Sequence, residues 1–505
     1  MLSGGPGKIP FLSPGALPGQ LNTRTTTVGV TMREQEYDIV VVGCGIAGLC
    51  AGVRARELGF ETVILEKAPK EKRGGHTQFT ESFRIPTQDI DLDVEFNVED
   101  YSASDFYSDI MKVTNYRADD ELAEVVTGEA AETFEWLTEL GNEWQYRAPH
   151  PGYTAGRVWL DGEELVDDMV EIFEDKGGEV VYRAEAQDIY RNDDGRVTGV
   201  DARVEGKKTR FSGDAVILAS GDYGSSKEAR TRYYGPGYGN MKVRGSGFNT
   251  GEAVEAAMDI GAKTDGEWGD AHMAIVDAAS PDVEMGITRI DGYQYGLIIN
   301  HDGERFVDEG EDSRAHTYAK FGRRIFEQPY HEAFIVVDEK RRGDVAQMGP
   351  GRPVSADTLE GLFNRLDVED VDQAVETVEE FNAACNPTDE YEPNQLDGNS
   401  TEGLDLPKSN WAFPLDEPPF TGYPVTGGMT FGFGGVGITP DAKVLDTTDH
   451  VIEGLFGAGN STGGLFYNNY PGGTGLTNAA VYGRIAAESA EAFIEDAGAV
   501  AAADD

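Results

Sequence analysis

The sequence predicts an α/β fold: a Rossmann-like domain with a smaller α+β domain inserted into it as a cap. The first observation is an apolar, strand-like run over 37–42 that meets Gly43, continues into an amphipathic helix and returns as a β-branched run ending at Glu66. The second is a change near residue 269 to short strands and turns, which lasts to residue 431. With 505 residues the chain is long enough for both domains.

The glycines of the opening βαβ unit are spaced for dinucleotide binding. Gly43 suits the tight turn after the strand, Gly45 lets the backbone approach a pyrophosphate, and Gly48 lets the helix pack closely on the strand. The first helical residues, Ile46 and Ala47, then offer N–H groups and the positive end of the helix dipole to phosphates.

An acid and a glycine-rich loop complete this predicted cofactor site. Glu66 lies 18 residues after Gly48, close to the ~20 at which a carboxylate accepts from a ribose hydroxyl. Strand, helix and acid together make the glycine motif specific. The loop that follows has paired glycines, which let backbone pass close under a large ligand. The cofactor contacts predicted here are Glu66, Lys67, Gly74, Gly75, His76 and Thr77.

Hydrophobic periodicity and turn residues predict the rest of the first domain. The elements are helices over 119–140 and 162–176, strands at 179–182 and 215–221, and a turn at 193–195. Ser220 and Gly221, which end the last strand, are predicted cofactor contacts. Asn249 followed by Glu252 is a capping pattern that predicts a helix reaching Gly261.

The cap domain is predicted from short strands and turns. Its elements are a strand at 296–300, a hairpin turn at Asp302-Gly303, a strand at 304–307, a helix near 371–384 and an extended, proline-containing loop over 406–424. The first domain resumes with a strand and glycine turn over 454–460 and a helix from Gly475 to about Phe493, whose first N–H groups suit a cofactor. The contacts predicted here are Gly459, Asn460, Gly475, Leu476 and Thr477.

These elements divide the chain into five segments. They are a disordered N-terminal extension at 1–32, the first part of the cofactor domain at 33–268, the cap at 269–431, the second part at 432–497 and a disordered acidic tail at 498–505. The extension lacks the apolar core of a signal peptide, and Met32 is an alternative start.

The composition excludes several classes of function. The 91 acids and 42 bases give a net charge of −49, which disfavours nucleic acid or an anionic membrane as a partner and indicates a solvated surface in a high-salt, halophilic habitat. The three cysteines form no metal-binding or disulfide pattern, so we predict no metal and a reducing, cytoplasmic location. No apolar run is long enough for a membrane-spanning helix.

Three motifs carry a resemblance to a known family: Arg73-Gly74-Gly75 after the acid, the stretch 303–320, and the stretch 463–473. On these motifs the chain from 37 to 497 resembles the flavoproteins of the fumarate reductase and succinate dehydrogenase family, especially the tricarballylate dehydrogenase-like and 3-ketosteroid dehydrogenase-like members. The resemblance implies a GR2-type flavoprotein with FAD rather than NAD. It also implies hydride transfer between flavin N5 and a carbon beside a carboxylate or carbonyl, with an unidentified electron donor or acceptor.

The same resemblance implies roles for three polar residues. Arg314 falls where fumarate reductases exchange a proton with the substrate, although an arginine that clamps a carboxylate bidentately is the alternative. His272 falls near a histidine that holds a substrate carboxylate, and a buried structural histidine is its alternative. Arg289 resembles a relay arginine, with a surface ion pair as its alternative.

The chain also departs from the family pattern. A second histidine of the fumarate reductases is replaced by Phe431 or Gly432, and their late substrate arginine by Tyr470, which disfavours fumarate itself as the substrate. Tyr470 resembles a ketosteroid-enzyme tyrosine that assists at a carbonyl, with a packing role as its alternative. The basic residues that tricarballylate enzymes carry after Arg-Gly-Gly are matched only by Arg84.

The resulting expectation is an FAD enzyme that introduces or removes a carbon–carbon double bond beside a carboxylate, in a succinate, fumarate or tricarballylate-like substrate. A ketosteroid-type dehydrogenase and a flavin-binding protein without turnover remain as alternatives. His76 stands where the membrane-bound succinate dehydrogenases attach FAD covalently. Because the rest of that motif is absent, we predict reversible binding, with a histidyl–flavin bond as the alternative.

Overall fold

The structure is a computed structural model, and it describes residues 33–90, 94, 96, 98, 100–146, 155–283, 285–286, 288–388 and 390–504. The N-terminal extension predicted over 1–32 lies outside the described residues. Within these ranges, no helix combines the length and the apolar composition that a bilayer crossing requires.

The strands are numbered in chain order. They are β1 (Arg33–Glu36), β2 (Ile39–Val42), β3 (Thr62–Glu66), β4 (Ser82–Arg84), β5 (Arg157–Trp159), β6 (Glu179–Tyr182), β7 (Ala184–Arg191), β8 (Val197–Val204), β9 (Lys207–Ser212), β10 (Ala215–Leu218), β11 (Lys242–Val243), β12 (Thr264–Asp277), β13 (Ile290–Asp291), β14 (Leu297–Asn300), β15 (Glu332–Val337), β16 (Ala346–Gln347), β17 (Val354–Ala356), β18 (Phe420–Val436), β19 (Lys443–Leu445) and β20 (Val451–Gly457).

The α-helices are numbered in the same way. They are α1 (Ile46–Glu57), α2 (Ala103–Val113), α3 (Asp120–Glu139), α4 (Gly162–Asp175), α5 (Lys227–Tyr234), α6 (Glu252–Asp259), α7 (Arg314–Phe326), α8 (Leu359–Arg365), α9 (Val371–Ala384) and α10 (Thr474–Asp504). The helices predicted over 119–140, 162–176 and 371–384 are thereby confirmed as α3, α4 and α9.

One six-stranded sheet, in the order β19-β20-β10-β2-β3-β6, forms the Rossmann-like domain. Its strands run parallel from β20 to β6, and β19 pairs antiparallel with β20 at one edge. β2, β3 and β10 are buried along their whole length, as expected for a parallel sheet covered on both faces. The predicted α/β class is confirmed, and β20 belongs to the part of the domain that resumes after the cap.

The helix of the opening unit, α1, is buried on almost every side, whereas the sequence predicted an amphipathic helix. Nine of its 12 residues are buried, because α1 lies against the sheet, α4 and α10. Small residues permit this close packing: a Cβ added at Gly48 would overlap the carbonyl oxygen of Gly43, and one at Gly483 would overlap that of Ala47.

A separate four-stranded sheet has the order β1-β9-β8-β7. The turn predicted at 193–195 joins β7 to β8 as expected. There the amide of Asn192 donates to the carbonyl of Arg196, and Gly195 has a φ of +88°, which favours glycine.

The cap is built on a sheet with the order β11-β18-β15-β14, in which β12 and β17 also pair with β18. β12 and β18 are long strands that pair antiparallel from 264–277 to 425–436. The domain boundaries predicted at 269 and 431 therefore fall inside two strands that are hydrogen-bonded to each other.

Two predictions for the cap need correction. The turn at Gly303 forms, with a φ of +81° and an amide that donates to Asn300, but 304–307 is not a strand and only Arg305 bridges back to β14. β14 pairs instead with β15. The loop predicted over 406–424 ends earlier, because β18 begins at Phe420 and includes Pro424. In both cases the strand bounds are set by pairing with strands that are distant in the sequence, which local sequence patterns do not reveal.

Two helix termini also differ from prediction. α6 begins after Gly251, and Asn249 makes no capping bond. α10 continues beyond the predicted end near Phe493 to Asp504, so residues 498–504, predicted as part of a disordered acidic tail, are helical. The alanine-rich sequence of this segment explains the extension, since alanine has the highest helix propensity.

Candidate active site

Most of the predicted site residues line a single cleft. It encloses about 1460 Å³ of space free of protein atoms, part of it open to solvent. Its walls come from the carboxyl ends of β2, β3, β10 and β20, and from β12 and β18 of the cap sheet. Ligands of open α/β sheets bind at this end of the strands.

The glycine turn after β2 is shaped for a large ligand. Gly43 has a φ of +107°, and a Cβ there would overlap the backbone of Ala219. At Gly45, by contrast, the nearest protein atom to an added Cβ would be Thr77 Oγ1, 3.5 Å away. Gly45 therefore faces the cleft, and its missing side chain leaves room that the protein itself does not fill.

Glu66 is a buried acid whose two carboxylate oxygens are fixed by backbone. Oε2 accepts from the amide of Cys44 at 3.1 Å, and Oε1 accepts from the amide of Ala68 at 2.6 Å. Burial raises the pKa of Glu66 to about 6, against the lowering effect of these two bonds. Lys67, predicted as a cofactor contact, lines the cleft, but its ammonium is committed to Glu252 at 2.7 Å and to Thr250.

Part of the glycine-rich loop lines the cleft, and part of it shapes the turn of the loop. Gly75, His76 and Thr77 line the cleft, and Thr77 Oγ1 accepts the first helical N–H of α1, that of Ile46, at 3.0 Å. Gly74 does not line the cleft, contrary to prediction: it has a φ of +96°, and a Cβ there would press on Val166. It shapes the turn of the loop.

His76 is held by a hydrogen bond at one ring nitrogen, and its other ring nitrogen lies near a buried carboxylate. Nδ1 accepts from the amide of Ser246 at 3.0 Å, and Nε2 lies 3.5 Å from Asp222 Oδ1. The other oxygen of this buried aspartate accepts from the amide of Gly432 at 2.5 Å. Because Nδ1 is an acceptor, the neutral ring carries its proton on Nε2, directed at Asp222.

The remaining predicted cofactor contacts come from the ends of β10 and β20 and from the start of α10. Those that line the cleft are Ser220, Gly221, Gly459, Asn460, Gly475 and Leu476. Thr477 does not, because its hydroxyl donates to the carbonyl of Arg84 at 2.6 Å. The amide of Gly475, predicted to serve a cofactor, donates to Tyr470 Oη at 3.2 Å.

His272, Arg289, Arg314 and Tyr470, the four predicted catalytic residues, all line the same end of this cleft, which we call the inner end. His272 is only 4 % exposed, and neither ring nitrogen has a hydrogen-bond partner among the described residues. Burial and then the charges of nearby arginines hold the pKa of His272 well below its usual range. Its ring is therefore neutral, and it lies 4.7 Å from the ring of Tyr470 between centroids.

Two arginines and two acids form a chain of ion pairs at the inner end. Arg314 Nε donates to Asp291 Oδ1 at 2.7 Å, Arg289 Nε lies 3.4 Å from Asp291 Oδ2, and Arg289 Nη1 lies 2.5 Å from Glu81 Oε1. Burial alone would raise the pKa of Asp291, but Arg314 and Arg289 lower it below its usual range. Arg289 is buried, so the alternative of a surface ion pair is wrong.

Tyr470 is also buried, and its hydroxyl oxygen accepts from the amides of Gly473 at 2.8 Å and Gly475 at 3.2 Å. The phenol is thereby fixed at the N-terminus of α10. Its ring packs edge-on against Phe431 and Phe466, so Tyr470 has a packing role whatever its hydroxyl does.

Sequence reasoning missed several inner-end residues. They are Glu81, Arg157, Arg244, Tyr318 and Thr430. Arg244 carried no signal beyond a basic residue in a glycine-rich stretch. Arg84, the residue that matched the tricarballylate enzymes, lies outside the cleft lining, where it pairs with Asp109 and donates to the carbonyl of Gly472.

Fold and cleft together define a dinucleotide-binding flavoprotein. The chain belongs to the FAD binding domain family, whose model matches residues 38–476. Over 475 residues it is 28 % identical to a probable fumarate reductase, Ifc3, of Shewanella frigidimarina, covering 90 % of this chain and 74 % of that protein. The predictions of FAD and of an FAD-dependent oxidoreductase acting on CH–CH groups are confirmed.

Two solved structures show the same fold. A flavocytochrome c3 fumarate reductase in an open conformation gives a TM-score of 0.70 at 24 % identity, covering 91 % of this chain and 78 % of that one. A 3-ketosteroid delta1-dehydrogenase from Sterolibacterium denitrificans gives a TM-score of 0.73 at 19 % identity, covering 90 % and 99 %. The predicted family and fold are confirmed.

Proposed function

We propose that this enzyme introduces or removes a carbon–carbon double bond beside a carboxylate. The observation that carries the proposal is the inner end, where neutral His272 and the ion-paired Arg314 line the FAD cleft together. FAD supplies hydride exchange with one carbon of the double bond, and the neighbouring carbon exchanges a proton. The relative named as a probable fumarate reductase supports this reading, since fumarate carries its double bond between carboxylates.

Arg314 is the proposed proton-exchange residue of this site. Arginine alone is a poor acid, because its guanidinium stays protonated in proteins. Here it adjoins a buried chain in which Asp291, Arg289 and Glu81 follow in contact order. We propose that a proton given to the substrate is replaced along this chain, with Arg289 as a positioning and relay residue.

His272 is the proposed carboxylate-binding residue. As a neutral ring it donates one hydrogen bond without bringing a charge of its own. Neither ring nitrogen has a partner among the described residues, and the ring packs against Tyr318 and Tyr470 in the cleft wall. Arg314, held by Asp291 through Nε, adds a cation beside it. A carboxylate bound by this pair would keep the adjacent carbon within the desolvated inner end.

A ketone dehydrogenase of the steroid type is the second candidate. Tyr470 and the aromatic wall of Phe431 and Phe466 favour it, because a flat apolar substrate gains from such a surface. Arg244 argues against it, because this buried residue lines the cleft without an ion pair to the described residues, and a neutral ketone would leave its charge unbalanced. A flavin-binding protein without turnover explains neither feature.

The test is anaerobic reaction of the FAD-loaded protein with a panel of substrates. Oxidised protein is mixed with succinate, tricarballylate and a saturated 3-ketosteroid, and chemically reduced protein with fumarate and the unsaturated ketosteroid. Bleaching or re-oxidation of the flavin by the acids alone supports the proposal. Reaction with the ketosteroids alone replaces it with the second candidate, and no reaction with any compound rejects both.

Replacing Tyr470 by phenylalanine is expected to separate the two candidates. The variant keeps the ring contacts but loses the acceptor for the amides of Gly473 and Gly475. For an acid substrate we expect a loss of turnover of about 10-fold or less, whereas loss of a general acid at a carbonyl costs about 10²–10⁴-fold. Steady-state kinetics with each substrate class measures the difference. A loss above 100-fold with an acid would make Tyr470 catalytic there as well.

We propose that FAD is bound reversibly. The nitrogens of His76 are directed at Ser246 and Asp222, so bond formation to the flavin would break an existing contact. Acid precipitation is expected to release all of the flavin into the supernatant, and His76→Ala is expected to change FAD affinity but not this result. Flavin that stays with the parent chain and leaves the His76→Ala chain would establish a histidyl–flavin bond.

The electron partner and the cellular setting are also proposals. We propose a separate electron donor or acceptor, because the FAD must be re-oxidised or re-reduced in each cycle. The three free cysteines, at 44, 50 and 385, and the strongly acidic composition support a reducing, cytoplasmic and high-salt setting.

A further inference from the structure

Arg244 is fixed at the inner end by hydrogen bonds of its backbone and its side chain. It follows β11, and its amide donates to the carbonyl of Met429 on β18 at 2.6 Å. Its Nη1 donates to Thr430 Oγ1 at 3.0 Å. The pairing of β12 with β18 runs from His272–Phe431 to Met273–Met429 and so skips Thr430. Such a bulge re-aims a side chain, and here Thr430 meets Arg244.

Arg244 is a buried cation that forms no ion pair with the described residues. It is 7 % exposed, its Nε has no hydrogen-bond partner, and no carboxylate of the described chain lies within 4.0 Å of its guanidinium. Burial and then the charge of Arg289 lower the pKa of Arg244 to about 10, so it remains charged at neutral pH. An isolated buried charge is strongly unfavourable unless something pairs with it.

Other buried arginines of the described chain have their partners within the protein. Arg84 pairs with Asp109, Arg314 pairs with Asp291, and Arg230 donates to the carbonyls of Gly224, Tyr238 and Gly239. Arg244 has only a neutral hydroxyl, and it lines the same cleft as His272. We therefore expect a ligand bound at the inner end to supply the anionic partner of the Arg244 guanidinium.

We propose that Arg244 is a specificity-determining residue that binds a second carboxylate of the substrate, distinct from the carboxylate held by His272 and Arg314. This inference rests on the proposed function and deepens it, because it names dicarboxylates rather than monocarboxylates as the substrate class. A carboxylate fits the planar guanidinium, because the N–H at Nε and a neighbouring N–H group can donate to its two oxygens in bidentate geometry. Thr430 fixes the orientation of the guanidinium through Nη1.

The experiment compares acids that differ by a single carboxylate. Dissociation constants of succinate and of butyrate are measured on the oxidised, FAD-loaded protein by calorimetry, for the parent, Arg244→Met and Arg244→Lys. Arg210→Met is the matched control, because Arg210 is ion-paired with Asp201 in the separate four-stranded sheet and does not line the cleft. Thermal unfolding of each protein without ligand is recorded in parallel.

We expect the parent to bind succinate at least ~10-fold more tightly than butyrate, and Arg244→Met to weaken succinate ~30-fold or more. The preference for succinate should then disappear, Arg244→Lys should restore part of it, and Arg210→Met should leave it unchanged. Without ligand, Arg244→Met should unfold at no lower temperature than the parent, because an unpaired buried charge has been removed.

Three results would overturn the inference. They are a parent that does not prefer succinate, an Arg244→Met protein that loses succinate and butyrate affinity equally, and an Arg244→Met protein that unfolds at a clearly lower temperature with its preference intact. Since binding is measured without turnover, these results are distinct from failure of the proposed function, which would show as no flavin reaction with any acid of the panel.

Discussion

Gly45→Val is expected to abolish FAD binding while the chain still folds. An added Cβ at Gly45 has no protein atom nearer than 3.5 Å, so the side chain enters the cleft rather than the core. That space lies beside the first N–H groups of α1, where the pyrophosphate belongs. We expect FAD affinity to fall ~100-fold or more, which corresponds to about 2.7 kcal/mol. Flavin content of the purified protein and titration of the apoprotein with FAD measure the loss.

Gly48→Ala is the matched control for this prediction. Its Cβ would overlap the carbonyl oxygen of Gly43, so the smaller substitution at the neighbouring motif glycine should lower the unfolding temperature instead. A Gly45→Val protein that retains stoichiometric FAD would show that this loop does not bind the pyrophosphate. Equal destabilisation of both apoproteins would show that Gly45 has a packing role.

The sequence was most informative where short-range patterns decide the structure. The βαβ unit, the turn at Gly195 and helices α3, α4 and α9 follow from periodicity, glycine and capping residues that act within about 20 positions. The cofactor contacts predicted from the glycine motif lie in the cleft for the same reason. Gly48, Gly74 and Thr477 are exceptions, because none of them lines the cleft. Gly48 packs against Gly43, Gly74 packs against Val166, and the Thr477 hydroxyl donates to the carbonyl of Arg84.

The inner end was predictable only in part. The resemblance suggested His272 and Arg314, but the cavity that unites them depends on β12 and β18, whose pairing joins residues more than 140 positions apart. The bulge at Thr430 and the position of Arg244 depend on the same pairing. Glu81 reaches Arg289 across about 200 residues. No local pattern encodes such contacts, since they arise when separate elements pack.

Arg314→Lys is expected to reduce turnover about 10²–10⁴-fold, the range typical for loss of a general acid or base, while FAD content stays normal. Lysine keeps the positive charge but not the planar fork, so it cannot bond Asp291 through Nε while presenting further N–H groups to the cleft. Steady-state kinetics on the acid that reacts fastest in the panel gives kcat and KM separately. A loss in kcat supports proton exchange by Arg314, whereas a rise in KM with unchanged kcat indicates that Arg314 only binds the carboxylate.

Arg323→Lys provides the control on the same helix. Arg323 is paired with Asp270 and Glu327 and does not line the cleft. Its replacement should therefore leave kcat and KM within about threefold of the parent values. A parental rate in Arg314→Lys would make Arg314 a structural residue of the Asp291 ion pair. In that case proton exchange would have to be sought among the other inner-end residues, beginning with Tyr318, over whose ring the Arg314 guanidinium lies at 4.4 Å.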